Sequence, residues 1–103
     1  HYPGWDELVG DLKSRSMRVL TYVNPFMVDA AGHRDLKRDR FAEAKERGHF
    51  VCHADGKPLS VQNTTFSAHL LDLSNPECRD GLKDMIRENL IGVGSSGWMA
   101  DYA

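Results

Sequence analysis

Apolar residues recur at Trp5, Leu8, Val9 and Leu12, the i, i+3, i+4, i+7 spacing of one helix face. Asp6, Glu7, Asp11 and Lys13 take the other side, so the pattern predicts an amphipathic helix over residues 5–15. The period then shortens. Arg18-Val19-Leu20-Thr21-Tyr22-Val23 is dense in β-branched and aromatic residues and predicts a buried strand that ends in a loop at Asn24-Pro25. A short helix is expected from about Arg40 to Arg47, closed by Gly48 in the left-handed cap position. Phe50-Val51-Cys52-His53 and Pro58-Leu59-Ser60-Val61 flank Asp55-Gly56, which predicts a hairpin with a two-residue turn. His69-Leu70-Leu71-Asp72-Leu73 predicts another short strand. Asn75-Pro76-Glu77 supplies an N-cap, a proline at the first helical position and an acid in the first turn. Leu82, Met85, Ile86 and Leu90 form the apolar stripe of the helix that follows, Gly92 is its expected end, and Gly97 to Asp101 predicts a last buried strand.

Two principal strands separated by a helix are expected to be parallel neighbours joined by a crossover, the unit of an α/β sheet with helices on its faces. Such a sheet closes as a (β/α)8 barrel only with about 250 residues, so a chain of this size would supply roughly a third of one.

Composition narrows the class. The 103 residues carry 13 Lys plus Arg against 15 Asp plus Glu, a formal charge of -2. A chain without a basic excess does not match a phosphate-backbone binder, so no nucleic-acid partner is expected. The apolar runs are too short to span a bilayer as a helix, and no membrane partner is expected. Two cysteines, Cys52 and Cys78, are too few for a disulfide framework or a four-cysteine zinc site. The chain opens at His1 and stops inside an apolar, strand-like run, which reads as one fragment of a longer protein spanning residues 1–103. No leader pattern is visible, and the compartment is not legible in the sequence.

The sharpest candidate is Asp101, at the C-terminal end of a strand. Ligands collect at the carboxyl ends of parallel strands, where a carboxylate can serve as nucleophile, base or metal ligand; the alternative is a cap on a following turn. Gly92-Val93-Gly94-Ser95-Ser96-Gly97 matches G-x-G-x-x-G, but it follows a helix and precedes a strand. That is the reverse of a phosphate-binding loop. His49, Cys52 and His53 lie close together without an obvious fourth ligand and read as surface residues rather than a zinc site. Asn63-Thr64-Thr65 is a glycosylation sequon by pattern. The basic stretch Arg34 to Arg40, interrupted by Asp35 and Asp39, reads as a solvated loop. Cys78 falls in a first helical turn, which favours a thiolate; a buried, structural cysteine is the simpler reading.

Taken in order, these segments resemble the catalytic barrel of glycoside hydrolase family 31, the α-glucosidase family. Tyr22-Val23-Asn24-Pro25-Phe26 is similar to the family's aromatic-aliphatic-Asn-Pro strand end. Phe41 to Phe50, with Ala44-Lys45-Glu46-Arg47-Gly48, resembles its approach to the hairpin carrying Asp55-Gly56. Leu71-Asp72-Leu73-Ser74-Asn75-Pro76 resembles the segment leading to the nucleophile strand, and Gly97-Trp98-Met99-Ala100-Asp101-Tyr102 resembles that strand itself. Ser96 to Asp101 is most similar to the sulfoquinovosidase branch. Met99 stands where α-glucosidase members carry a Lys or another polar residue.

The resemblance implies a partial (β/α)8 TIM barrel. It implies a retaining α-glycosidase that hydrolyses an α-glucoside or a sulfoquinovoside by double displacement, with Asp101 as nucleophile. Asp101 would have to stay ionised, so hydrogen-bond donors are expected around it. Tyr22, Trp98 and Tyr102 would line the sugar site. The acid/base residue would follow the nucleophile in sequence. The expected partners are a carbohydrate substrate and the rest of the catalytic barrel, and no metal or organic cofactor is needed when two carboxylates do the chemistry. The isolated chain is expected to be inactive. The alternatives are a non-catalytic glycan- or partner-binding relative of the same fold, or a self-contained small α/β binding module.

Overall fold

The computed structural model describes residues 2–32 and 36–102. Three helices are present among them: α1 (Trp5–Ser14), α2 (Arg40–Glu46) and α3 (Pro76–Asn89). Five strands accompany them: β1 (Leu20–Val23), β2 (Phe26–Met27), β3 (Ser60–Gln62), β4 (Ser67–Leu70) and β5 (Gly97–Ala100). The chain divides into two compact units, residues 1–24 with 81–103, and residues 25–80. Among the described residues no helix is long and apolar enough to cross a membrane.

In the first unit β1 and β5 pair in parallel, with Leu20 opposite Gly97, Tyr22 opposite Met99 and Val23 opposite Ala100. This is the crossover arrangement that the alternation of elements predicts. Helix α1 ends with Ser16 in the left-handed region (φ 60°). The Met17 N–H reaches the Leu12 carbonyl at 3.0 Å, and the Ser16 N–H reaches that of Lys13 at 2.9 Å. Val9 is buried and the Trp5 indole N–H donates to the Val93 carbonyl at 2.7 Å, but Leu8 is 51% exposed. The buried stripe is therefore narrower than the spacing suggests.

Gly92 does not end the long helix. α3 stops at Asn89, a 3₁₀ turn covers Ile91–Val93, and Gly94 (φ 94°) is the stop. The Ser95 N–H bonds to the Leu90 carbonyl and the Gly94 N–H to that of Ile91, both at 3.0 Å. A β-carbon on Gly94 would stand 2.8 Å from Cγ1 of Val9. The glycine-rich segment thus joins a helix end to β5, as its order in the sequence requires.

The two strands are less buried than expected. Leu20 is 67% exposed, Met99 57%, Tyr22 47% and Trp98 42%. Strands of a parallel barrel are covered on both faces by neighbouring layers, and a two-stranded pair supplies only part of that cover.

The second unit contains an antiparallel sheet in the order β2-β4-β3. Two of its features were not expected. Phe26–Met27 returns to pairing directly after Pro25, and a tight turn joins β3 to β4, with the Asn63 N–H on the Phe66 carbonyl at 2.8 Å. The expected strand over 69–73 lies earlier, at Ser67–Leu70, because Asp72 accepts the Ser74 N–H at 3.0 Å and its hydroxyl at 2.6 Å and opens a turn. The Asp55-Gly56 turn has three loop residues rather than two. The Gly56 N–H bonds to the His53 carbonyl at 2.9 Å and the His53 N–H to that of Lys57 at 2.8 Å. Gly56 has a positive φ of 84°, whereas Asp55 is not among the positive-φ residues, and a two-residue type I′ turn needs both.

The core of this unit is Ala44, Phe50, Ala68, Leu71 and Cys78. Phe41, Phe50 and His69 form a ring cluster with centroids 5.2–5.3 Å apart. Gly48 closes α2 as expected (φ 65°), with the His49 N–H on the Ala44 carbonyl at 2.8 Å. Asn75 caps α3, accepting the Glu77 N–H at 2.9 Å.

Candidate functional site

Parallel strands end on the same edge, so β1 and β5 deliver Asn24 and Asp101 side by side. The Asp101 N–H bonds to the Val23 carbonyl at 3.1 Å, extending the ladder one step past β5. Side chains alternate along a strand, and the register puts Tyr22, Met99 and Asp101 on one face.

Tyr22 and Asp101 are brought together. The Tyr22 hydroxyl donates to Asp101 Oδ2 at 3.0 Å. The other oxygen, Oδ1, accepts the Tyr102 N–H at 3.0 Å. The Asn24 amide Nδ2 donates to the Tyr22 hydroxyl at 3.4 Å. Tyr102 is in the left-handed region (φ 58°), which non-glycine residues seldom adopt. Among the described residues, a donor thus stands at each oxygen of Asp101.

Trp98 is not brought to this cluster. It lies three residues before Asp101 and shares the opposite face with Val23 and Ala100. Met99 takes the place on the Asp101 face. Sequence reasoning passed over Met99 and Asn24 as site neighbours. Counting back by two from Asp101, and forward by two from Tyr22, is the signal that finds them. The Tyr102 ring is 72% exposed.

The other candidates separate. His49 is buried, not on the surface: it follows Gly48 in the helix-closing turn, and its Nε2 lies 3.7 Å from Glu77 Oε2. Cys52 and His53 are exposed, and no three His, Cys, Asp or Glu side chains among the described residues are placed to hold a metal ion. Cys78 is buried at the start of α3, and burial, reinforced by the nearby Asp72 carboxylate, pushes its thiol above the ordinary value. Of the basic stretch, Arg34 and Asp35 lie outside the described residues, while Arg38 forms a two-pronged pair with Glu43 at 2.7 and 2.8 Å. In the sequon, Asn63 Oδ1 accepts the Thr64 N–H at 2.7 Å and so serves the β3–β4 turn.

A half-exposed carboxylate at a strand edge, held by a phenol and a backbone donor, can act as an oriented nucleophile or base. Comparison with known proteins gives this arrangement a context. Residues 1–103 match the glycosyl hydrolases family 31 TIM-barrel domain. A sulfoquinovosidase of Escherichia coli strain K12 is 31% identical over 102 residues, which are 99% of this chain and 14% of that protein. A sulfoquinovosidase of Agrobacterium fabrum is 32% identical over 102 residues, 98% of this chain and 14% of that protein. A solved family 31 sulfoquinovosidase from E. rectale, in complex with an aza-sugar inhibitor, superposes with a TM-score of 0.81 at 35% identity, over 98% of this chain and 14% of that one. The chain thus spans about 14% of the length of these relatives.

Proposed function

The chain belongs to the glycosyl hydrolases family 31 through its TIM-barrel domain, and from that premise we propose that the whole protein is a retaining α-glycosidase with Asp101 as its nucleophile. One observation carries the reading: a carboxylate at the C-terminal edge of a parallel strand pair, held at both oxygens by Tyr22 and Tyr102. Barrel enzymes gather their reacting groups at that edge.

In the first step an Asp101 oxygen bonds to the anomeric carbon. The glycosidic C–O bond breaks, and its electron pair leaves on the aglycone oxygen, which takes a proton from an acid/base carboxyl. In the second step that group, now a carboxylate, removes a proton from water. The water oxygen bonds to the anomeric carbon, the ester bond to Asp101 breaks, and its electron pair returns to the aspartate. The acid/base group belongs to the rest of the barrel, about 5–5.5 Å from Asp101. Residues 1–103 are one piece of that catalytic barrel, and the remainder of the barrel is their structural partner.

The similarity to sulfoquinovosidases favours an α-sulfoquinovoside over an α-glucoside as substrate. Tyr22 and Tyr102 contact the sugar, while Trp98 belongs to the opposite, packing face.

The test is Asp101→Asn in the full-length protein, assayed on para-nitrophenyl α-sulfoquinovoside and on the matching α-glucoside. Turnover should fall by at least about 10³-fold with thermal unfolding unchanged, on the scale seen when a nucleophile is removed. Turnover within about tenfold of the parent contradicts the assignment. Parent activity on the glucoside alone redirects the substrate without touching the nucleophile.

A further inference from the structure

We propose that Asn24 and Tyr22 form a directional hydrogen-bond relay that positions Asp101 and assists its release from the glycosyl ester. The inference rests on Asp101 being the nucleophile. The relay runs along the ends of two paired strands: the Asn24 amide donates to the Tyr22 hydroxyl at 3.4 Å, and that hydroxyl donates to Asp101 Oδ2 at 3.0 Å. A phenol carries one proton and accepts through its oxygen. With an amide N–H arriving from Asn24, the phenolic proton is left to point at Asp101. Tyr22 and Asn24 lie two residues apart on one side of the chain, and the β1–β5 register sets Asn24 one step past the Val23–Ala100 pair, level with Asp101.

Direction matters because the charge on Asp101 changes twice per turnover. A hydrogen bond to an ionised carboxylate is roughly twice as strong as one between neutral groups. The phenol therefore favours the free carboxylate over the ester. The step it accelerates is the second one, in which the ester bond breaks and the electron pair returns to an oxygen already held by a donor. Asn24 is a positioning residue once removed: it touches Tyr22, and its amide N–H sets which way the tyrosine proton points. Asn24→Asp keeps the shape but replaces a donor with an acceptor, which competes for that proton and turns it away from Asp101.

The experiment uses the full-length protein and para-nitrophenyl α-sulfoquinovoside, a substrate whose good leaving group makes ester hydrolysis limiting. Tyr22→Phe should lower kcat by about tenfold or more, as expected for losing a hydrogen bond to a charged group. KM should fall with it, with a burst of nitrophenolate as ester accumulates. Asn24→Asp should do the same in the parent and add nothing in a Tyr22→Phe background, a coupling read from the double-mutant cycle. Asn24→Gln should recover part of the loss. A fall in kcat at constant KM marks mere loss of folded enzyme and overturns the relay, as do additive effects of the two substitutions or no effect of either. If Asp101→Asn instead retains turnover, the nucleophile reading fails first, and the two failures are told apart by that variant.

Discussion

Asp72 illustrates how a single side chain sets both a turn and a titration. Its carboxylate takes the hydroxyl and N–H of Ser74, and these two bonds, the hydroxyl first, hold its carboxyl below the ordinary value of 3.8. A depressed carboxyl in the folded state gives stability that is present above the unfolded value and is lost as pH falls through the folded one. Ser74→Ala should therefore raise the Asp72 carboxyl toward 3.8, as followed by NMR titration, and weaken the acid dependence of unfolding. An unmoved titration would contradict this. Other single residues were only partly legible. Asp101 stands out in the sequence as an acid closing an apolar run, and Asn75-Pro76 reads directly as a cap. Trp98 drew attention through its aromatic character, although the two-residue period of a strand already places it on the face away from Asp101. The reverse holds for His49, whose burial depends on the turn that closes α2 and on packing from residues distant in sequence.

At the scale of elements, the helices followed from local signals and the short strands did not. Each helix end carries its own chemistry: Asn75 at the start of α3, Gly48 after α2, Gly94 after the 3₁₀ turn. Strands β2, β3 and β4 have two to four residues, too few to show a period, and pairing rather than propensity decides them. The loop at Gly56 was recognisable as a turn, but its length depends on which residue takes positive φ, and that is a property of the closed hairpin. Gly94 gives the clearest element-scale prediction. An alanine there must adopt a left-handed backbone, at about 1–2 kcal/mol, and its β-carbon meets Val9 at 2.8 Å. Overpacking of that kind adds about 1–3 kcal/mol. Gly94→Ala should destabilise the full-length protein by about 2–5 kcal/mol in thermal or urea unfolding. A change below about 0.5 kcal/mol, the range of indifferent surface substitutions, would show that α1 and the turn before β5 do not depend on this close approach.

For the whole molecule, the chain is a segment of a family 31 TIM-barrel domain, and its sheet reflects that. β1 and β5 pair as barrel strands do, yet Leu20, Met99, Tyr22 and Trp98 stay substantially exposed on their two faces. In a complete barrel those faces meet neighbouring strands, interior layers and helices. The 103 residues expressed alone should lack glycosidase activity and a cooperative thermal transition, and should bind a hydrophobic dye. A sharp transition with turnover would contradict this. The alternation of helices and strands was enough to read the α/β class and the parallel pair. The Tyr22–Asp101 bond was beyond reach, because it joins residues 79 positions apart and exists only once the register is set. The most direct measurement is to trap the full-length protein with a mechanism-based fluorinated or cyclitol analogue of its glycoside and map the modified peptide by mass spectrometry. The account predicts a covalent label on Asp101; a label on any other residue would contradict it.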